Sequence, residues 1–115
     1  MQRGDIYWAD LMPRSGSEQR GRRPVVIVSH NGFNQTPGWR SIIVVPISTS
    51  AAQARRGPTA VYLPEGAGGI ERASVALCHQ VTTLDRAKLT ERLGTLSHDL
   101  LNQVENGLKA ALDLT

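Results

Sequence analysis

The chain has 115 residues, enough for one hydrophobic core and too few for two, so we expect a single domain over residues 1–115. No apolar run approaches the roughly 18 residues that a membrane span needs, and nothing resembles a signal peptide. We therefore expect a soluble, cytoplasmic protein that contacts no membrane. The single cysteine, Cys78, excludes an internal disulfide and a multi-cysteine zinc site.

The net charge is only +3, but it is unevenly distributed. Residues 1–57 hold eight arginines and no lysine against three carboxylates, which gives a net charge of +5, whereas residues 58–115 carry −2. The planar guanidinium of arginine gives two parallel hydrogen bonds to a phosphate and keeps its charge at neutral pH. The bias favours phosphate recognition, although an arginine-rich genome would produce it too.

The first half of the chain reads as strands joined by polar loops. Alternation over Asp5–Leu11 predicts a strand, and a loop rich in glycine, serine and arginine follows. Pro24–Ser29 is β-branched in its centre and predicts a buried central strand. Because Pro24 biases the residue before it toward extended geometry, we expect Arg23 to be the last loop residue, held at the mouth of that strand.

Turn residues dominate positions 30–40, where we expect an irregular excursion with one helical turn around Phe33. Ser41–Ile47 predicts a third strand, in which Pro46 would mark an edge or a bulge. A short strand is expected at Ala60–Leu63. Ala73–Gln80 predicts a longer one, with Val75, Leu77 and His79 on one side.

The C-terminal third predicts a helix that closes the sheet. After an extended segment, Asp85 is placed to cap a helical turn, and Arg92–Leu96 predicts a last strand. Ser97 would then cap a helix over Asp99–Leu114, whose apolar residues recur at helical spacing. The expected fold is mainly β with α: a small, strongly curved antiparallel sheet closed by a C-terminal helix.

A set of polar donors falls where the predicted strands end: Arg23, Ser48, Thr49 and His79. No nucleotide-binding loop, paired carboxylates or metal-ligand spacing is visible, so we expect no cofactor and no metal. If those ends meet, the set suits phosphoryl transfer on RNA, where the neighbouring 2′-hydroxyl is the nucleophile. The reaction needs a base, an acid and hydrogen-bond donors to the nonbridging oxygens of the phosphate. A histidine suits the proton transfers, and Arg23 would stabilise the negative charge that builds up in the transition state.

Each of these residues also has an ordinary structural interpretation. His79 is equally a satisfied histidine near the end of a core strand, and the hydroxyls of Ser48 and Thr49 equally bond the turn backbone. Trp39 and Phe33 either stack on unpaired bases or cover the core, the second being favoured for Phe33. Cys78, inside an apolar run, is expected to be buried and inert.

Taken in order, several stretches resemble the MazF/PemK toxins of bacterial toxin-antitoxin systems: RGDIYWADL, GSEQRGRRPVVIVS, the FN of NGFN, IIVVPIST and SVALCHQVTTLDRAKLTERLG. The resemblance covers nearly the whole chain. It implies an SH3-like, PemK/CcdB-like β-barrel that forms a homodimer. It also implies a sequence-specific, metal-independent endoribonuclease that cuts single-stranded RNA, such as mRNA, to leave 2′,3′-cyclic phosphate and 5′-hydroxyl ends. A MazE-like antitoxin with a disordered acidic tail would block its RNA groove.

Carried over residue by residue, the family's catalytic arginine falls on Arg23, and its hydroxyl residue, usually threonine, falls on Ser48. Some relatives place an arginine and an aspartate at the positions held here by Leu77 and His79. Leu77 removes one proposed acid, so His79 would take one proton-transfer role and Arg23 the other. Glu18 and Gln19 match residues that border the family's RNA groove. The residues expected to bind RNA are Ser17, Glu18, Gln19, Arg20, Thr49, Arg55, Arg56 and Trp39.

Two alternatives stay open at this point. The chain could be a non-cleaving, CcdB-like gyrase-binding toxin that uses the same fold and acts through its C-terminal helix, because fold alone does not settle function. It could also be an inactive homologue that only binds an antitoxin, which the loss of an acid at Leu77 suggests.

Overall fold

The computed structural model describes residues 1–11, 21–50 and 57–114. Within them lie seven strands and two helices, joined in part by 3₁₀ turns. The strands are β1 (Asp5–Asp10), β2 (Arg22–Ile27), β3 (Ser41–Ser48), β4 (Ala60–Leu63), β5 (Ser74–Leu77), β6 (Thr82–Asp85) and β7 (Leu89–Thr95). The helices are α1 (Asn31–Asn34) and α2 (His98–Leu112).

All the strands belong to one antiparallel sheet in the order β4-β5-β3-β2-β1-β7, with β6 paired to the first half of β3. In the part of the chain that the structure describes, β4, β6 and β7 each pair with only one strand, and β4 and β7 do not pair with each other. The expectation of a mainly β, antiparallel fold with a C-terminal helix is confirmed. Closure of the sheet into a barrel is not confirmed.

The strand β2 begins at Arg22, two residues before the proline, so the prediction that Arg23 ends the loop is wrong. Arg22 and Arg23 pair with Asp10 and Ala9 of β1, and these ladder pairs extend the strand beyond the apolar run. The consequence is that Arg23 stands on regular sheet backbone, which fixes its position more tightly than a loop would.

Pro46 lies inside the sheet, so the expectation that it marks an edge or a bulge is also wrong. It pairs with Val25 of β2 on one side. On its other side β3 changes partner, from β6 along residues 41–44 to β5 at Ile47 and Ser48. Proline has no N–H to donate, and the gap between the two partners is a position where none is needed.

The sheet separates two apolar clusters. Ile6, Val26 and Val45 belong to the first, over which α2 packs through Val104, and all four side chains are fully buried. The second lies on the opposite side of the alternating strands and includes Ala9, Val25, Ile27, Val44 and Leu84. The predicted alternation of the first strand is therefore confirmed.

The helix α2 is capped by Ser97 as its sequence predicts, but it ends at Leu112 rather than the predicted Leu114, and both of these leucines are exposed. The Ser97 hydroxyl accepts a hydrogen bond from the Leu100 N–H at 3.2 Å. Gly107 faces the core so closely that an added Cβ would lie 2.6 Å from the Cys78 sulfur. A glycine is therefore needed inside this helix despite its low helix propensity. No helix among the described residues is long and apolar enough to cross a membrane.

Candidate nucleic-acid interface

Arg23 and Ser48 align across β2 and β3. The recorded pairs are Val25 with Pro46, Val26 with Val45 and Ile27 with Val44, and the same register continued by two residues sets Arg23 opposite Ser48. Directly opposed residues of an antiparallel pair share a face of the sheet. The sequence-predicted arginine and hydroxyl are therefore brought to neighbouring strands at one end of the sheet.

Ser48 and Thr49 differ in exposure. Ser48 is buried at 6% exposure, and its Oγ accepts the N–H of Ser50 at 3.1 Å, so part of the structural interpretation of this hydroxyl is correct. A hydroxyl that accepts one hydrogen bond still has its own proton to donate. Thr49 is exposed and lines a cavity together with Arg23. Thr49 thus lies at the cavity with Arg23, and Ser48 precedes it at the end of β3.

That cavity has a volume of about 300 Å³ and lies against the end of the sheet. Its apolar wall is formed by Trp8, Pro24, Ile47, Ile70 and Leu93, and its polar rim by Arg22, Arg23, Thr49, Glu71, Arg72 and Ser74, with Gly69 completing the lining. Three arginines against one carboxylate make the rim electropositive. An electropositive cleft with an apolar wall suits an anionic ligand that carries a flat or apolar group.

Arg22 is stacked on Trp8 at the cavity. Its Cζ lies 4.4 Å from the centroid of the indole ring, and its Nη2 lies 3.6 Å from Oε2 of Glu91. The ion pair is exposed on both sides and contributes little, so the aromatic contact sets the orientation of the guanidinium. From the sequence, Arg22 is expected only as the end of an arginine-bearing loop that borders the RNA groove. Sequence patterns point to no functional role for Trp8, Glu71 or Arg72, because their convergence depends on tertiary pairing.

One wall of the cavity requires glycine. Gly69 has φ +87, and a Cβ there would lie 2.3 Å from the carbonyl oxygen of Leu93 in β7. A Cβ on Gly94 would meet the backbone of Gly68 in the same way, at 2.6 Å. The turn at Ala67–Gly69 therefore lies backbone to backbone on β7, and this contact fixes the segment that carries Glu71 and Arg72.

His79 lies elsewhere. β5 ends at Leu77 and the chain continues as a 3₁₀ turn over Cys78–Gln80, so the predicted strand to Gln80 is too long. The histidine is exposed, with its Nδ1 3.2 Å from Oγ1 of Thr59. Ser48 pairs with Val75, near the beginning of β5, whereas His79 follows its end. Within one chain the fold does not bring His79 to the cavity.

Cys78 begins the same turn and points inward. Its side chain is fully buried and its thiol donates to the carbonyl oxygen of Val104 at 3.5 Å. Desolvation by burial raises the pKa of Cys78 to about 11. The expectation that the thiol is buried is confirmed, and the raised pKa supports the expectation that it is inert.

Trp39 lies at the opposite end of β3 from Ser48. The Trp39 indole N–H donates to the carbonyl oxygen of Ser41 at 2.7 Å. Ser41 begins β3 and Ser48 ends it, and at about 3.3 Å per residue the two lie about 23 Å apart. Trp39 stacks on Phe33, with ring centroids 4.7 Å apart. Phe33 is 47% exposed, so the expectation that it covers the core is wrong.

The turn that carries these aromatic rings is held by Arg86. Its Nε donates to the carbonyl oxygen of Trp39 at 2.7 Å, and its Nη2 donates to that of Asn34 at 2.9 Å. The predicted helical turn around Phe33 is present as α1. The predicted cap of the later turn over Arg86–Lys88 is also present, since the carboxylate of Asp85 accepts the Ala87 N–H at 2.8 Å. Arg40 lies against the same carboxylate and, by hydrogen bonding to it, lowers the pKa of Asp85.

The remaining residues expected to bind RNA are Ser17, Glu18, Gln19, Arg20, Arg55 and Arg56, and they lie outside the described residues. Among the residues that the structure describes, no group of three or more His, Cys, Asp or Glu side chains could hold a metal ion. The described part of the candidate site is therefore the pair Arg23–Ser48, with Thr49, and the cavity beside it.

The chain thus folds as an antiparallel sheet with one long helix, and an arginine-rimmed cleft lies at the end of the sheet. A family model described as PemK-like, MazF-like toxin of type II toxin-antitoxin system matches residues 2–112. The chain is 37% identical over 112 residues to a protein named Endoribonuclease MazF2 from Mycobacterium bovis, an alignment that covers 97% of this chain and 96% of that protein. The chain therefore belongs to the PemK-like, MazF-like toxin family, which confirms the resemblance.

Solved structures agree with this assignment. The crystal structure of MazF from Deinococcus radiodurans matches with a TM-score of 0.80 and 28% identity, over 98% of this chain and 96% of that one. A crystal structure of MazE-MazF from the same organism matches with a TM-score of 0.75 and 28% identity, over 100% and 97%.

Proposed function

We propose that this protein is a toxin of a type II toxin-antitoxin system that acts as a sequence-specific endoribonuclease on single-stranded RNA. The 2′-hydroxyl would attack the neighbouring phosphate without a metal, leaving 2′,3′-cyclic phosphate and 5′-hydroxyl ends. The observation that carries the proposal is the alignment of Arg23 with Ser48, beside Thr49, in a chain whose 37% identical relative is named an endoribonuclease.

The chemistry assigned to these residues follows from their groups. In the proposed complex Arg23 holds the scissile phosphate and offsets the charge that grows on its nonbridging oxygens in the transition state. Its backbone lies in a ladder with β1, so the point from which the side chain extends is fixed before RNA binds. The hydroxyls of Ser48 and Thr49 donate to the same oxygens, a role that a serine and a threonine perform alike.

The proton-transfer groups are not part of this assignment. His79 as acid or base stays a prediction, and its place beyond the end of β5 argues against that role within one chain. Arg23 is the remaining candidate for protonating the departing 5′-oxygen, but a guanidinium gives up its proton so reluctantly that it is an inefficient general acid. Its main contribution is therefore electrostatic.

The partners are proposed on the same basis. A relative has been solved as a MazE-MazF complex, and this supports a MazE-like antitoxin as the inhibitor of this chain. We propose that the active form is a cytoplasmic homodimer, with RNA passing along the electropositive rim of the cavity. Fold alone does not settle function, so gyrase binding without cleavage is the competing outcome of the experiment below.

The test is end mapping. Purified protein is incubated with a long single-stranded RNA in EDTA, and the chemistry and sequence of the new ends are determined. We expect a small set of cuts with 2′,3′-cyclic phosphate and 5′-hydroxyl ends that persists in EDTA. Uncut RNA, together with inhibition of gyrase in a supercoiling assay, would replace the proposal with the gyrase-binding alternative.

A further inference from the structure

We infer that the cavity walled by Trp8 and Ile70 is a subsite for a single unpaired nucleobase, one that carries an exocyclic amino group, next to the scissile phosphate. The inference rests on the proposed function, because it assigns part of the sequence specificity of that reaction to residues outside the catalytic pair. The residues that would bind the base are Arg22 and Glu71, with Arg72 beside them.

The cavity lies next to the arginine proposed to hold the scissile phosphate. Arg23 lines the cavity together with Arg22, its neighbour on β2, and Trp8 of β1. Adjacent Cα atoms lie about 3.8 Å apart, so a phosphate at Arg23 is within one nucleotide of the cavity. A strand bound at Arg23 can therefore turn one flanking base into it.

The shape and stacking surface favour a base over a peptide. The Arg22 Cζ lies over the Trp8 ring, 4.4 Å from its centroid, and both the guanidinium plane and the indole are surfaces on which a nucleobase can stack. The cavity of about 300 Å³ is at the lower end of the range for small-molecule sites and suits one base rather than a whole nucleotide chain. An acidic peptide would instead use the edges of the guanidinium groups.

Glu71 would determine which bases the subsite selects. Its carboxylate and the guanidinium of Arg72 lie on the cavity rim, exposed, and neither side chain has a hydrogen-bond or ion-pair partner among the described residues. A carboxylate only accepts hydrogen bonds, so it favours bases with amino groups and disfavours the carbonyl edges of uracil. Arg72 can donate to the carbonyl or ring nitrogen beside that amino group.

The experiment compares cleavage-site preferences on a random-sequence single-stranded RNA pool. For the wild type we expect one position flanking the cut to favour amino-bearing bases over uracil. Because glutamine both donates and accepts, Glu71→Gln should lower that preference by about tenfold, with the other positions unchanged. Glu65→Gln is the matched control, since Glu65 is an exposed carboxylate on the preceding turn outside the cavity, and it should leave every preference intact.

A second variant separates stacking from charge. Arg22→Lys keeps the positive charge and loses the plane, so we expect weaker selection at the same position and no change in the end chemistry. If the wild type cuts no RNA, the proposed function itself fails. If it cuts and Glu71→Gln keeps the same base preferences, the subsite is overturned while the nuclease stands, whatever the variant does to the binding of a protein partner.

Discussion

The register of β2 and β3, continued two residues beyond the last ladder pair Val25–Pro46, sets Arg23 level with Ser48. The two residues are 25 positions apart in the chain, and only the pairing of two central strands brings them together. The proposed hold of both residues on one phosphate depends on this relationship.

Replacing Arg23 with alanine should lower the cleavage rate by at least about 10²- to 10³-fold, the usual effect of removing a fixed donor to a developing charge. The melting temperature should hardly change, because the side chain is exposed and the backbone pairing with Ala9 is kept. Arg40→Ala is the control: this arginine pairs with Asp85 at the other end of β3 and should leave cleavage intact. Undiminished cleavage by Arg23→Ala would remove the arginine from the mechanism.

His79→Ala should keep the cleavage rate within about tenfold of the wild type, because the turn over Cys78–Gln80 holds the histidine beyond the end of β5. The measurement is a pH–rate profile for both proteins. A fall of 10²-fold or more with the loss of one limb of the profile would mean that His79 transfers a proton, in which case it would have to be supplied by the partner subunit of a dimer.

Gly69→Ala should destabilise the fold more than Gly66→Ala. Both glycines have a positive φ, +87 and +88, so each alanine pays about 1–2 kcal/mol of backbone strain. Only the Cβ at position 69 would also clash with the carbonyl oxygen of Leu93, at 2.3 Å, whereas the Cβ at position 66 meets nothing within 4 Å. Urea unfolding of the two variants measures the difference, and equal losses of stability would show that the turn does not rest on β7.

Cys78 should resist thiol reagents at pH 8 in the folded protein and react fully in denaturant, because its pKa is about 11 and its side chain is buried. The sign of the pH effect follows from the same shift. Below the ordinary value of 9.0 the thiol is neutral in both states, and above it only the unfolded thiol ionises. Stability should therefore fall as pH rises from 9 toward 11.

Other groups titrate in the same range, so Cys78→Ala serves as the reference. The difference in unfolding free energy between the wild type and this variant should be constant below pH 9 and should shift against the wild type above it. Rapid labelling of the native protein at pH 8 would contradict the assigned burial.

Local patterns determined most of the secondary structure. The alternation in the first strand, the Ser97 cap and the helical apolar stripe of α2 depend on neighbours within a few residues, which a sequence displays directly. The predicted strand through Gln80 failed because Cys78 packs on Val104 and Gly107 of a distant helix, and this packing curls the chain into a turn. The predicted edge at Pro46 failed because a switch of strand partners is a property of the sheet.

By itself the sequence determined that Arg23 is anchored by a proline and a buried strand, that two hydroxyls lie at the end of the third strand, and that the chain resembles the family to which it belongs. The tertiary structure alone decided that Arg23 aligns with Ser48, that His79 lies apart from them, and that Trp8, Arg22, Glu71 and Arg72 line one cavity. The physical reason is that capping, turn chemistry and periodicity act over one or two turns of chain, whereas register and cavity walls arise from contacts between segments tens of residues apart.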